Sequence, residues 1–161
     1  MRYFLGIDPG LSGAIAAYDP AADELKVWDM PTHEITSNRK KKRTLDIFGL
    51  ANIIDPLAPD TIKAVVEQVS AMPKQGVTSS FNFGFSAGCA QMAIAAYFIA
   101  LETVAPVAWK RVMGITSDKD QARRQASRLL PKHSGLWPLV KHDGRAEAAL
   151  LALYLAKKHS S

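Results

Sequence analysis

Four carboxylates stand apart from the other acids of this 161-residue chain because of where they fall. Asp8 closes the apolar run from Tyr3 to Ile7 and is followed by Pro9-Gly10, a turn signal, with Ser12 and Gly13 beyond. Asp-Pro-Gly is ordinary turn chemistry. An acid at the carboxyl end of a buried strand, however, points into the crevice where α/β sheets bind ligands. Glu67 interrupts Ala64-Val65-Val66 and Val69, where a buried carboxylate is costly unless it is paired or bound to metal. A strand-end glutamate turning to solvent is an equally good reading. Asp143 and Glu147 are spaced so that a helix puts both on one face, about 5–6 Å apart at Cβ. Two acids near a helix N-terminus also suit its dipole. Yet Glu147 opens the run Ala148-Ala149-Leu150-Leu151-Ala152-Leu153, a helix that must be mostly buried. Carboxylates from three distant segments, with no Cys or His cluster, suit a hard cation such as magnesium or manganese and not zinc. Beside basic residues, such a set is what two-metal phosphodiester hydrolysis needs.

The basic residues are concentrated in two places. Arg39-Lys40-Lys41-Lys42-Arg43 carries five positive charges, and the formal net charge is +5, so the rest of the chain is neutral. A solvated loop is the bland reading of that run, and a phosphate-tracking loop the functional one. Between Pro106 and Arg145, nine Lys or Arg face three acids. Trp109-Lys110-Arg111, Lys119, Arg123, Arg124 and Arg128 dominate there. Arg124 and Arg128 make one helical stripe with Arg123 within reach, able to hold DNA by its phosphates without reading bases. Phe81, Phe83 and Met72 follow Glu67 closely. They read as core or interface residues, with a wedge against opened base pairs as the lesser alternative. His142 adjoins Asp143, but a lone histidine carries little weight.

The elements that must position these groups are legible from periodicity. Tyr3 to Ile7, Gly13 to Tyr18 and Leu25 to Met30 are close-spaced strand-like runs that suggest two antiparallel hairpins. A helix capped by Thr44 is expected over Leu45 to Leu57, stopped by Pro56 and Pro59. Thr61 to Val69 is dense enough to be a buried, parallel strand. After a loop from Ser70 to Thr78 come a buried helix over Ser79 to Leu101, a fifth strand over Thr103 to Val107 and a turn of helix over Ala108 to Met113. Asp118 to Leu130 reads as an amphipathic helix, Pro131 to Val140 as a loop, and Asp143 to Lys158 as a final helix. The expectation is one α/β domain over residues 1–161, with a mixed five-stranded sheet flanked by helices on both faces.

Three stretches in order carry a family resemblance across nearly the whole chain. They are Phe4-Leu-Gly-Ile-Asp8-Pro-Gly10-Leu-Ser-Gly13, Val65-Val-Glu67-Gln68 and Asp143-Gly-Arg-Ala-Glu147-Ala. Together they resemble the motifs of RuvC-type Holliday-junction resolvases, especially phage-encoded ones. The resemblance implies a ribonuclease-H-like fold, a homodimer, and magnesium-dependent nicking of four-way DNA junctions with two ions per site, manganese substituting. It maps the metal ligands onto Asp8, Glu67, Asp143 and Glu147, and places Lys110 and Lys119 near the scissile phosphate. Many bacterial members close with two aspartates three apart, whereas here a glutamate stands four residues on.

Composition narrows the alternatives. A hydrophobic fraction of 48% supports a real core, and a single cysteine, Cys89, excludes both an intramolecular disulfide and a cysteine zinc site. The uncharged stretch from Gln75 to Leu101 has a truly apolar part, Met92 to Leu101, too short for a bilayer span. With no leader visible, the expected location is the cytoplasm, that of a bacterial host if the chain is phage-encoded. The segment from Gly6 to Gly13 also resembles the first phosphate loop of sugar kinases and heat-shock ATPases, which need a second such domain to enclose a nucleotide. An RNA-processing nuclease of the same fold and a catalytically dead DNA-binding module complete the alternatives.

Overall fold

The computed structural model describes residues 1–70, 74, 76–116 and 119–160, with only the backbone of Ser37 and Lys119. Its first strands are β1 (Tyr3–Asp8), β2 (Ala14–Asp19) and β3 (Glu24–Asp29), which form the two expected antiparallel hairpins. The sheet is completed by β6 (Thr61–Glu67), parallel to β1, and β7 (Ala100–Val104), parallel to β6, in the order β3-β2-β1-β6-β7. It is the mixed five-stranded sheet read from the sequence.

Side-chain alternation along the strands splits the core into two layers. Leu5, Ile7, Ile15, Ala64 and Val66 face α1 (Ile47–Ile54) and α2 (Val77–Ala96). Phe4, Ala14, Ala16 and Val65 face α3 (Pro106–Met113), α4 (Lys119–Leu129) and α5 (Asp143–His159). The α5 helix is buried on nearly all sides from Gly144 to Ala156, because the sheet covers one face and α4 another. Gly6 permits this contact: a Cβ there would lie 2.3 Å from the Ala152 nitrogen and 2.4 Å from the Ala148 oxygen.

Five local expectations are corrected. The basic run is not a loop. Residues Thr32–Ser37 (β4) and Lys40–Leu45 (β5) pair as a separate antiparallel hairpin, turned by Asn38 and Arg39 at φ of 50° and 59°. Leu45 therefore ends a strand. The following helix starts at Ile47 and is capped by Asp46, whose carboxylate accepts from the Gly49 N–H at 2.9 Å, not by Thr44. The α2 helix ends at Ala96 instead of Leu101, since Phe98 adopts a left-handed φ of 56°, and the last strand begins three residues earlier than its β-branched content suggests. Finally, α2 is not a buried helix within this chain. Ser86, Ala87, Ala90 and Ile94 are buried, but Phe81, Phe85 and Met92 are exposed.

Among the described residues no helix is long and apolar enough to cross a membrane.

Candidate active site

Alternation fixes the first two acids. Asp8 has the parity of Phe4 and Gly6 on β1, and Glu67 that of Val65 on β6, so both project toward α5. The parallel register aligns Ile7 with Val66, which sets Asp8 beside Glu67 at the carboxyl ends of the two central strands. The N-terminus of α5 is brought against this edge by glycine. A Cβ on Gly144 would lie 2.4 Å from the Ser12 carbonyl oxygen, and one on Gly13 would lie 2.1 Å from the Asp8 carbonyl oxygen. With one helical turn between them, Asp143 and Glu147 then face the same space. All four sequence-predicted acids line one cavity of about 450 Å³, together with Ser12, Ser79, Asn82, Phe83 and Lys110.

Each acid has its own surroundings. Trp109 Nε1 donates to Glu67 Oε2 at 2.6 Å, and Lys110 Nζ donates to Glu147 Oε1 at 2.9 Å. The Gly10 N–H donates to Asp8 Oδ1 at 3.3 Å. Burial, followed by the charges of Glu147 and Glu67, pushes the Asp8 carboxyl up to about 8, against the pull of the Gly10 N–H and Lys110. Burial also raises Glu67. The Trp109 bond opposes that shift, Glu147 adds to it, and Lys110 lowers it. Burial works to lower Lys110, but the bond to Glu147 and the charges of Glu147, Glu67 and Asp8 prevail and raise it. Lys110 thus stays an ammonium among carboxylates.

The donor set is all oxygen, as a hard divalent cation requires. Crowded negative charge of the kind that raises Asp8 is what such a cation offsets. Among the described residues, no three Asp, Glu, His or Cys side chains form a ready-made cage, and Lys110 supplies part of the neutralisation. The residues fit a magnesium-type ion by chemistry and by shared orientation.

The basic residues are dispersed. Lys110 lines the cavity. Lys40, Lys41, Lys42 and Arg39 extend along the exposed hairpin, where Lys41 pairs with Glu34 at 3.4 Å, and Arg43 alone reaches back, donating to Ser12 Oγ at 2.8 Å. Arg124 and Arg128 are exposed on α4, while Arg123 is partly buried and pairs with Asp120 at 2.8 Å. None of these α4 arginines lines the cavity. The Lys119 side chain and Met72 lie outside the described residues. Phe83 lines the cavity and Phe81 does not. His142 faces away into a neighbouring groove.

Sequence reasoning misses Trp109 as the partner of Glu67, because nothing local to either residue announces a contact between β6 and α3. Arg145 does not neutralise the acids. It grips Asp29 instead, with Nε to Oδ1 at 2.6 Å and an Nη to Oδ2 at 2.7 Å.

No protein-family model matches the chain, and no curated protein matches it. Solved structures do. The chain is similar to Thermus thermophilus RuvC in complex with a Holliday junction substrate, at 13% identity and a TM-score of 0.63, covering 99% of this chain and 96% of that one. It is likewise similar to a second Thermus thermophilus RuvC structure, at 15% identity and a TM-score of 0.58, with the same coverage. The chain therefore has the RuvC-type, ribonuclease-H-like fold that the sequence resemblance implied.

Proposed function

We propose that the protein is a divalent-metal-dependent endodeoxyribonuclease that nicks four-way DNA junctions. The observation that carries this reading is the convergence of Asp8, Glu67, Asp143 and Glu147, from three separate elements, on one cavity of a RuvC-type fold. The four carboxylates would hold two magnesium ions, with manganese as a substitute. Bound there, the ions would activate water and stabilise the leaving oxygen of a phosphodiester. The chain's own residues do the positioning. Trp109 fixes which Glu67 oxygen faces the cavity, and the Gly10 N–H orients Asp8. Lys110, held by Glu147, presents a cation at the cavity wall, where a phosphate oxygen can exchange for one of its contacts.

A homodimer goes with this reading. Phe81, Phe85 and Met92 recur on one face of α2 at 71%, 43% and 65% exposure, and a second copy of the same helix would cover them. Two catalytic cavities related by a two-fold axis suit a substrate with two-fold symmetry.

The test is cleavage of matched four-way, flap, linear and RNA-containing substrates with magnesium. Preferential nicking of the four-way DNA supports the proposal. Preference for the RNA-containing substrate would favour an RNA-processing nuclease instead, and no cleavage of any would remove the reading.

A further inference from the structure

A second cavity, of about 330 Å³, abuts the acid-lined one, and the loop of Leu11, Ser12 and Gly13 is their common wall. The character of the second cavity is opposite. Arg43 enters from β5, Arg145 from α5, and Lys141 and His142 from the turn just ahead of α5. Among the described lining residues the single carboxylate, Asp29, is held at two points by Arg145. Arg43 donates to the Ser12 hydroxyl, and the charges of Lys141 and His142 also act on Asp29, so one carboxylate faces an excess of cations in this lining. His142 contributes a donor as well. Its Nδ1 accepts from the Leu139 N–H at 3.2 Å, so in the neutral ring the proton sits on Nε2. The groove is therefore lined by donors and cations contributed by separate elements that meet only in the folded chain.

We infer that this groove is a phosphate subsite, which holds a phosphodiester of the DNA strand next to the one in the acid-lined cavity. The inference rests on the proposed nuclease reading and adds a register-setting contact to it. A strand lying across the Leu11–Gly13 wall presents one phosphate to Lys110 and the acids and a neighbouring one to Arg43, Lys141 and the Nε2–H of His142. Backbone contacts of this kind fix position without reading bases. The docking of Arg43 on Ser12 gives the β4–β5 hairpin a specific role, since its base delivers one guanidinium to the groove while its tip stays in solvent.

The experiment measures metal-free binding of a four-way DNA junction by wild type and by the double variant Arg43→Gln, Lys141→Gln. The junctions carry a single neutral methylphosphonate, moved one position at a time along the strand around the nick site. Wild type should lose about tenfold in affinity at one flanking position, a loss of about 1.4 kcal/mol. The double variant should bind the unmodified junction about as weakly and lose nothing more at that position, and its salt slope should fall by roughly 0.9 per phosphate contact removed. Additive losses, or no sensitive flanking position in wild type, overturn the subsite and mean that the groove takes at most free phosphate. If wild type binds no branched DNA, the nuclease reading and the subsite fall together. If binding couples as expected but Asp8→Asn still nicks, the catalytic reading alone fails.

Discussion

Trp109 and Glu67 are joined by one hydrogen bond across the α3–β6 interface, the indole Nε1 donating to Oε2 at 2.6 Å. Both side chains are buried, so the indole is the group that keeps a carboxylate tolerable at the end of a core strand. Trp109→Phe keeps the aromatic packing and removes the donor. The expected cost is about 1–3 kcal/mol in urea unfolding, because a buried acceptor loses its partner. Glu67 is raised by burial and held back by this bond, so without the bond it rises further. The acid limb of the pH–rate profile for nicking should move to higher pH. An unchanged limb would mean that Glu67 does not titrate in the reaction.

Close backbone approach makes a second prediction. A Cβ at Gly144 meets the Ser12 carbonyl at 2.4 Å, so Gly144→Ala must displace the start of α5 from the Asp8 loop. Nicking should fall by about 10²-fold, as expected when catalytic groups shift by roughly 1 Å, while junction binding is retained. Gly84, where an added Cβ meets nothing within 4 Å, is the control, and Gly84→Ala should leave stability intact or slightly improved. Equal rates for the two variants would show that the α5 contact does not set the site.

The exposed face of α2 predicts the assembly state. Wild type should sediment as a dimer at tens of micromolar. Phe81→Glu with Met92→Glu should sediment as a monomer that keeps its far-ultraviolet circular dichroism, since both side chains are exposed in the single chain. A wild-type monomer at these concentrations, with or without DNA, would refute the dimer.

Asp19 predicts a pH dependence of stability. Its carboxylate accepts from the N–H groups of Arg2, Ala21 and Ala22 at 3.1, 3.0 and 3.3 Å, tying the end of β2 to the chain start and to the following turn. The Arg2 bond leads in holding its pKa below the ordinary aspartate range, with burial opposing. Because the folded value is depressed, the stabilisation is fully present above the unfolded value of about 3.9 and is lost as pH falls through the folded value. Asp19→Asn should cost about 1 kcal/mol at neutral pH and progressively less in acid. A cost that does not depend on pH would assign the effect to packing.

Where apolar periodicity carries the information, the sequence is a good guide. The runs that form β1, β2 and the second half of β6 are dense in buried side chains, and α5 is a long Ala/Leu helix that the sheet and α4 enclose. Asp8, Glu67 and Glu147 are visible because each breaks or bounds an apolar run, Asp143 because of its helical spacing from Glu147, and strand parity then aims Asp8 and Glu67 at the same helix. The β4–β5 hairpin is not visible. Its strands are polar on both faces, so alternation leaves no trace, and five like charges read as a loop. The exposed stripe on α2 reads as buried because an uncharged helix looks the same whether its cover comes from its own chain or from another. The bond between Trp109 and Glu67 is a tertiary fact with no local signal.

The most direct test is nicking of a four-way DNA junction in magnesium by wild type, Asp8→Asn and Glu147→Gln, each assayed beside its binding of the same junction. An amide keeps the shape of the carboxylate but loses the charge that concentrates a cation, and it leaves Lys110 and the basic groove in place. Wild type should nick, with manganese replacing magnesium, and both variants should bind the junction at least as tightly while yielding no product. Glu147→Gln is the sharper of the two, because Glu147 is the acid that Lys110 already holds. If it nicks at the wild-type rate while Asp8→Asn is inactive, the α5 pair is not part of the metal site. If both nick normally, the four-carboxylate account is wrong.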